Sequence, residues 1–312
     1  MTPNFRFSLR QASTFPFRLL IAAFLLQLGA GLVFSQDEDL AEAEKLREEA
    51  QVHLQNQDLP KAIETFLDAF KISPGTSQEY RLVSQLLLIE NRPEEAVILL
   101  KEGEQEHPES LPIKADLGVA YNATEQFDLA LQTFERPEIR VGQTNPTITN
   151  DSFYFSYGAA AERLKKYDLA EKNFRKAIER VPITDQRRAA MPLNYLGYMW
   201  LDLDKNLDEA GIFIVKANNL VPDSDAYADS LGWWHFKKKN YKAALSELLR
   251  AADLMGDAED PVIFDHIAQT YFEMGQKKKA IEYLEKATKL DPENEEIAKR
   301  LKQYRKPPPQ DP

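Results

Sequence analysis

One pattern of small and large apolar residues recurs along the chain between about residue 43 and residue 292. An alanine returns after 34, 34, 40, 40, 34 and 36 residues, and a large apolar residue follows each alanine by four positions. The seven pairs are Ala62 and Phe66, Ala96 and Leu100, Ala130 and Phe134, Ala170 and Phe174, Ala210 and Ile214, Ala244 and Leu248, and Ala280 and Leu284. Because positions four apart share a helix face, each pair predicts an amphipathic helix. The fixed period predicts a stack of similar units.

Further positions return in the same register. A small residue follows the large one by three positions in most units: Ala69, Gly103, Ala177, Ala217, Ala251 and Ala287. A proline then closes five units: Pro74, Pro108, Pro182, Pro222 and Pro292. A Leu-Gly pair lies earlier in three units, as Leu117-Gly118, Leu196-Gly197 and Leu231-Gly232. Small residues let paired helices approach closely, and proline ends a helix, so each unit reads as two packed helices.

This order of residue types resembles the tetratricopeptide repeat, a 34-residue helix–turn–helix unit. The resemblance implies an all-α fold, a right-handed α-solenoid of about seven helix pairs with a C-terminal capping helix. We expect the solenoid to span residues 36–305. Its repeats are predicted near residues 43–76, 77–110, 111–136, 151–184, 190–223, 225–256 and 261–293, followed by the cap at 294–305. Residues 136–150 and 183–192 are predicted as insertions, and residues 306–312 as a disordered proline-rich tail.

Residues 1–35 have the layout of a secretory signal peptide. Three arginines and no acidic residue precede the 16-residue apolar run at 19–34, and Val33 and Ser35 suit cleavage before Gln36. That run is short for a membrane span of ~20 residues. An uncleaved membrane anchor and an organelle transit peptide are the alternatives. We therefore expect an exported protein of the periplasm or cell envelope, with membrane contact only through this segment.

Composition excludes several classes of function. The net charge is −11, and loss of three arginines with residues 1–35 would make it −14, so no basic stripe for nucleic acid is expected. No cysteine is present, which excludes disulfides and thiolate catalysis. The four histidines are dispersed, and no phosphate-loop, nucleophile-elbow or dinucleotide motif occurs. We expect no catalytic residue, metal or cofactor. His266 follows Asp265 and is expected on a helix surface, because adjacent positions do not face each other.

In tetratricopeptide proteins the first helix of each unit lines a concave groove, and repeat positions 5, 9 and 12 point into it. In the last three units these positions hold Asn194, Tyr198 and Leu201; Asp229, Trp233 and Phe236; and Asp265, Gln269 and Phe272. The resemblance implies a peptide groove with polar groups for backbone amides and aromatic walls for side chains. For Tyr198 and Trp233, packing between repeats is an equally good interpretation. The equivalent early residues are Arg47, Gln51, Arg81 and Gln85.

The sequence thus predicts a non-catalytic scaffold that holds a protein or peptide partner. The sequence of the last three repeats resembles that of repeat proteins of Gram-negative cell envelopes. This resemblance implies a role in outer-membrane or secretion assembly. The alternative is an accessory subunit of an envelope polysaccharide or peptidoglycan synthesis complex. Within the repeats, Gly232 is expected to reject a larger side chain, and Gly211, outside the signature positions, to tolerate one better.

Overall fold

All regular secondary structure in the described part of the protein is α-helical, which confirms the predicted all-α class. The structure is a computed structural model that describes residues 38–141, 148, 150–182, 184–256 and 258–306. No helix in these ranges is long and apolar enough to cross a membrane. The predicted signal peptide and residues 307–312 of the predicted tail lie outside the described residues.

The chain divides into two compact units, and the boundary between Asn173 and Phe174 falls inside a helix, Tyr167–Arg180. The helices of the first unit are α1 Glu38–Gln55, α2 Leu59–Ile72, α3 Ser77–Ile89, α4 Pro93–Glu106, α5 Leu111–Ala123, α6 Phe127–Phe134, α7 Pro137–Val141 and α8 Asp151–Arg163. The boundary helix is α9. The helices of the second unit are α10 Gln186–Asp202, α11 Leu207–Leu220, α12 Asp225–Lys237, α13 Tyr241–Met255, α14 Pro261–Glu273, α15 Lys277–Leu290 and α16 Glu295–Arg305.

Local sequence explains where these helices begin and end. Polar side chains cap several N-termini, as Thr76 and Glu79 do reciprocally at α3 and Asp260 does at α14. The first helix of each pair ends in a tight turn that contains a residue at positive φ: Gln57, Asn91, Glu125, Lys165, Asp204, Lys239 and Gly275, with Asn206 as a second such residue in the turn of Asp204. The next backbone N–H then bonds the carbonyl five residues back, as Asn240 does to His235 at 2.9 Å. This closes the turn and satisfies a helix-end carbonyl.

The recurring alanines and the large residues that follow them form the core. All seven alanines and all seven large partners are fully buried. The glycine of the earlier Leu-Gly pair lies against the large residue of the same repeat. A Cβ added at Gly118 would meet Phe134 at 2.6 Å, and one at Gly232 would meet Leu248 at 2.6 Å. The periodic small residues are therefore required by the close approach of the paired helices.

The structure corrects three local expectations. The first predicted insertion contains the short helix α7, so it is not loop throughout. In the second, helix α10 begins at Gln186 because Asp185 caps it, and Pro192 lies inside that helix. Gly211 is not a tolerant position, because an added Cβ would lie 2.3 Å from the ring of Trp234. That ring is held by its Nε1, which donates to the carbonyl of Leu207 at 2.9 Å.

Candidate functional site

The predicted groove residues lie on α10, α12 and α14, the first helices of three successive pairs in the second unit. Helix α12 packs against both α10 and α14. The last helix, α16, contacts α14 through Arg300, which donates to Asp265, and through Tyr304, whose ring stacks on Phe272 at 3.7 Å. The site is therefore built from side chains that face their counterparts in the neighbouring repeat.

The polar row at repeat position 5 is buried. Asn194 and Asp229 are 0% exposed and Asp265 is 8% exposed. Each aspartate pairs with a basic side chain at position 6 of the next repeat or, for Asp265, of the last helix. Asp229 Oδ1 is 2.8 Å from His266 Nδ1, and Asp265 Oδ2 accepts from Arg300. These two aspartates therefore tie neighbouring repeats together, a role that the sequence prediction did not assign to them.

His266 is not on the helix surface, so that expectation was wrong. Its side chain is almost fully buried, and its ring stacks on the indole of Trp233 with centroids 4.0 Å apart. Its partner is Asp229 in the preceding repeat, not the adjacent Asp265. The rule that adjacent helix positions face apart holds, but it does not describe contacts between stacked helices. The signal in the sequence is the recurrence of charged residues at positions 5 and 6 of consecutive repeats.

The aromatic row mixes buried and accessible residues. Tyr198 and Leu201 are buried, whereas Phe236, Gln269 and Phe272 are half-buried. Trp233 is buried and lies between His266 and Phe236, whose ring is parallel to it at 4.5 Å. The indole thus packs between α12 and α14. The residues of this row that reach solvent are Phe236, Gln269 and Phe272.

Several buried polar atoms in this region have no hydrogen-bond partner among the described residues. They are Asn194 Oδ1, Asn194 Nδ2, Asp229 Oδ2, Trp233 Nε1 and Asp265 Oδ1. Buried polar groups in folded proteins are nearly always paired, because each unpaired group costs about 1–3 kcal/mol. Unpaired atoms on three successive repeats therefore mark a place that is polar, buried and not satisfied by the described residues.

The charges around His266 are mostly negative. Burial lowers the pKa of His266, but Asp229, Asp265 and Asp202 favour the imidazolium, and the net result is a raised pKa. Burial raises the pKa of Asp265, partly offset by Arg300. Burial and four surrounding carboxylates raise the pKa of Tyr198 well above its ordinary value. Within the described residues, no three His, Cys, Asp or Glu side chains are grouped so that they could hold a metal ion.

The first unit uses equivalent positions with the charges reversed. Arg47 lies 3.2 Å from Glu79, and Arg81 donates to Asp116 at 2.7 Å. In these repeats the arginine stands at position 5 and the acid on the first helix of the next repeat. The pairs thus join the first helices of successive repeats, as in the second unit, but with the cation and the anion exchanged.

Comparison with known proteins adds to this picture. The family model described as tetratricopeptide repeat matches residues 151–182 and 263–294. A TPR repeat-containing protein of Pseudomonas aeruginosa is 37% identical over 97 residues, which are 30% of this chain and 16% of that protein. The match thus spans about a sixth of the relative's length, so it bears on the repeats and not on the whole relative.

Solved structures with similar folds share little sequence with this chain. A tetratricopeptide repeat protein from Parabacteroides merdae superposes with a TM-score of 0.59 at 17% identity, covering 85% of this chain and 100% of its own. The protein pilF of Pseudomonas aeruginosa gives a TM-score of 0.56 at 17% identity, covering 73% of this chain and 97% of its own. At such identities the likeness concerns the fold alone.

Proposed function

We propose that this chain, in which residues 151–182 and 263–294 match the tetratricopeptide repeat, is a non-catalytic scaffold that binds a protein or peptide segment on the face formed by α10, α12 and α14. Proteins of this repeat family generally mediate protein–protein interactions and are generally not enzymes. The observation that carries the choice of face is the set of unpaired buried polar atoms on three successive repeats. A bound segment that supplies donors and acceptors there would remove their desolvation cost.

The accessible aromatic residues support the same face. Phe236 and Phe272 are half-buried, and each stacks on a neighbouring ring, Trp233 and Tyr304 respectively. Rings held in this way present contact area without losing much side-chain freedom on binding. Gln269 lies between them in the repeat register and adds a polar group at the rim. The proposed anchors are therefore Phe236, Gln269 and Phe272, above the buried row of Asn194, Asp229 and Asp265.

We place this scaffold in the cell envelope. The support is the leader pattern of residues 1–35, in which arginines precede an apolar run and no acidic residue occurs. A role in outer-membrane or secretion assembly belongs to the same proposal and rests on the resemblance of the last three repeats to envelope proteins. The intact mass of protein from its native host tests the leader. A chain that begins at or near Gln36 is expected, and a chain that retains residues 1–35 would contradict cleavage.

Site-specific photocrosslinking tests the binding face. A photoreactive residue replaces Gln269 in one variant and Ser246 in a matched control, where Ser246 is exposed on the second helix α13. We expect a discrete crosslinked partner from position 269 in native-host cells and none from position 246. Equal labelling at both positions, or labelling at 246 alone, would refute the choice of face. The identity of the partner by mass spectrometry then separates outer-membrane or secretion components from polysaccharide- or peptidoglycan-synthesis enzymes.

A further inference from the structure

Position 5 of one repeat and position 6 of the next form ion pairs in both units, with opposite polarity. Arg81 pairs with Asp116, 35 residues later, and Asp265 pairs with Arg300 at the same separation. Asp229 pairs with His266, 37 residues later. In the first unit the cation thus stands on the earlier helix, whereas in the second unit the acid does. The second unit therefore presents carboxylates at the positions where the first unit presents an arginine.

The two aspartates use only half of their hydrogen-bonding capacity. His266 occupies one oxygen of Asp229, and Arg300 and Gln269 both reach the same oxygen of Asp265. The other oxygens, Asp229 Oδ2 and Asp265 Oδ1, are buried without a partner in the described residues, as is Oδ1 of Asn194. These three acceptor oxygens lie one per repeat on α10, α12 and α14. In the first unit, by comparison, the carboxylate of Asp116 accepts from Arg81 at 2.7 Å, and neither of its oxygens is among the buried atoms without a partner.

The electrostatic surroundings select the kind of donor that suits these oxygens. Asp202 and Asp260 add further negative charge close to the row, since both act on Tyr198 together with Asp229 and Asp265. An anionic ligand would be repelled, and a neutral amide would donate hydrogen bonds without balancing the excess of carboxylates over His266 and Arg300. A cationic group supplies both the charge and several N–H donors, three from an ammonium and five from a guanidinium.

The rim of the site already holds cationic groups of the chain itself. Lys237 Nζ lies 5.5 Å from the centre of the Trp233 ring, a cation–π distance, while it pairs with Asp204 at 2.8 Å. Arg300 shows that Asp265 accepts a guanidinium. Gln269 is half-buried and donates to Asp265 at 3.2 Å, so this side chain connects the edge of the site that reaches solvent with the carboxylate.

We propose that the segment bound by α10, α12 and α14 is basic, and that one of its lysine or arginine side chains donates to the unpartnered oxygens of Asp229 and Asp265. This inference rests on the proposed function, since it names the chemistry of the partner that the same face binds. It assigns Asp265 as the residue that a cation reaches first. It also fits the placement of the acid on the earlier helix in the second-unit pairs Asp229–His266 and Asp265–Arg300.

The test uses the mature chain and a display library of random 12-residue peptides. We expect lysine and arginine to be enriched in the selected peptides. In the tightest of them, replacing the key arginine with citrulline, which is neutral and nearly isosteric, should weaken binding about tenfold or more, as a charge-assisted hydrogen bond requires. An unchanged affinity with citrulline, or selected peptides without basic residues, would overturn the proposal. This comparison leaves the protein unaltered, so it does not depend on whether any variant folds.

Two matched variants locate the effect. Asp265→Asn should reduce the preference for arginine over citrulline to less than about threefold, because the carboxylate charge is gone. Asp116→Asn breaks an ion pair in the first unit and should leave the preference unchanged. Equal loss in both variants would contradict a specific site at Asp265.

The outcomes also distinguish this inference from the proposed function. If peptides crosslink to position 269 but show no preference for basic residues, only this inference fails. If no peptide binds this face, the proposed function fails.

Discussion

The pair of Asp229 and His266 allows a quantitative test of how completely this region is desolvated. The two side chains are 1% and 4% exposed, and their atoms are 2.8 Å apart. His266→Phe keeps a ring stacked on Trp233 but removes the donor to Asp229. The carboxylate of Asp229 then lies buried, and neither of its oxygens has a hydrogen-bond donor among the described residues. Removing one partner of a buried ion pair typically costs about 3–5 kcal/mol, so we expect a loss of that size in the free energy of unfolding.

A double-mutant cycle separates the pair from the packing. Asp229→Asn combined with His266→Phe removes the buried charge as well, and we expect it to recover about 2 kcal/mol relative to His266→Phe alone. Urea denaturation followed by circular dichroism gives the free energies. The control is Arg305→Ala, which breaks an exposed pair with Glu285 and should cost less than about 1 kcal/mol. A loss within about 1 kcal/mol for His266→Phe would refute the argument, since Asp229 would then be hydrated.

Three further outcomes follow from the structure. The pKa of His266 is raised above its ordinary value, so its stabilising contribution is fully present below that ordinary value and is lost as pH rises through the folded pKa. Unfolding midpoints should therefore fall as pH rises over this range, and less steeply in His266→Phe. Gly232→Leu should lower the free energy of unfolding by about 2–4 kcal/mol, because a Cβ added at Gly232 would lie 2.6 Å from Leu248 Cγ. A thermal midpoint within error of wild type would contradict this packing. Lys239→Gly should stabilise by about 0.5–1 kcal/mol, because Lys239 has a φ of 59° that glycine adopts freely; any loss of stability in urea denaturation would contradict this.

The fold follows from the sequence because its signals are local and repeated. Each alanine and its large partner four residues later lie on the same face of a helix, and all of these residues are fully buried in the structure. What the sequence could not give are contacts that depend on how helices are rotated against each other. Gly211 lies outside the signature positions, yet Trp234 of the next repeat packs on it. From the sequence, Pro192 is predicted to end an insertion. In the structure Asp185 caps helix α10, which begins at Gln186, so Pro192 lies inside the helix.

The sequence predicts which residues of the candidate site share a repeat position, but it does not predict how deeply they are buried. Helical spacing correctly groups Asn194, Asp229 and Asp265 at one repeat position. It does not show that they are buried, because burial depends on the following helix. The partners His266 and Arg300 lie 37 and 35 residues downstream, and only the stacking of repeats brings them close. Whether the groove residues bind a partner remains a prediction for Asn194, Tyr198, Asp229, Trp233, Phe236, Asp265, Gln269 and Phe272.

The central claim is that a partner binds the face of α10, α12 and α14, and the affinity of the crosslinked partner for Phe272→Ala tests it most directly. Phe272 is half-buried and stacks on Tyr304, so its removal takes away contact area at the rim. We expect binding about tenfold weaker or more by titration calorimetry, as for an aromatic anchor, and Ser246→Ala on α13 should bind like the wild type. Unchanged affinity of a folded Phe272→Ala, with Ser246→Ala as the weaker binder, would place the partner elsewhere and contradict the claim.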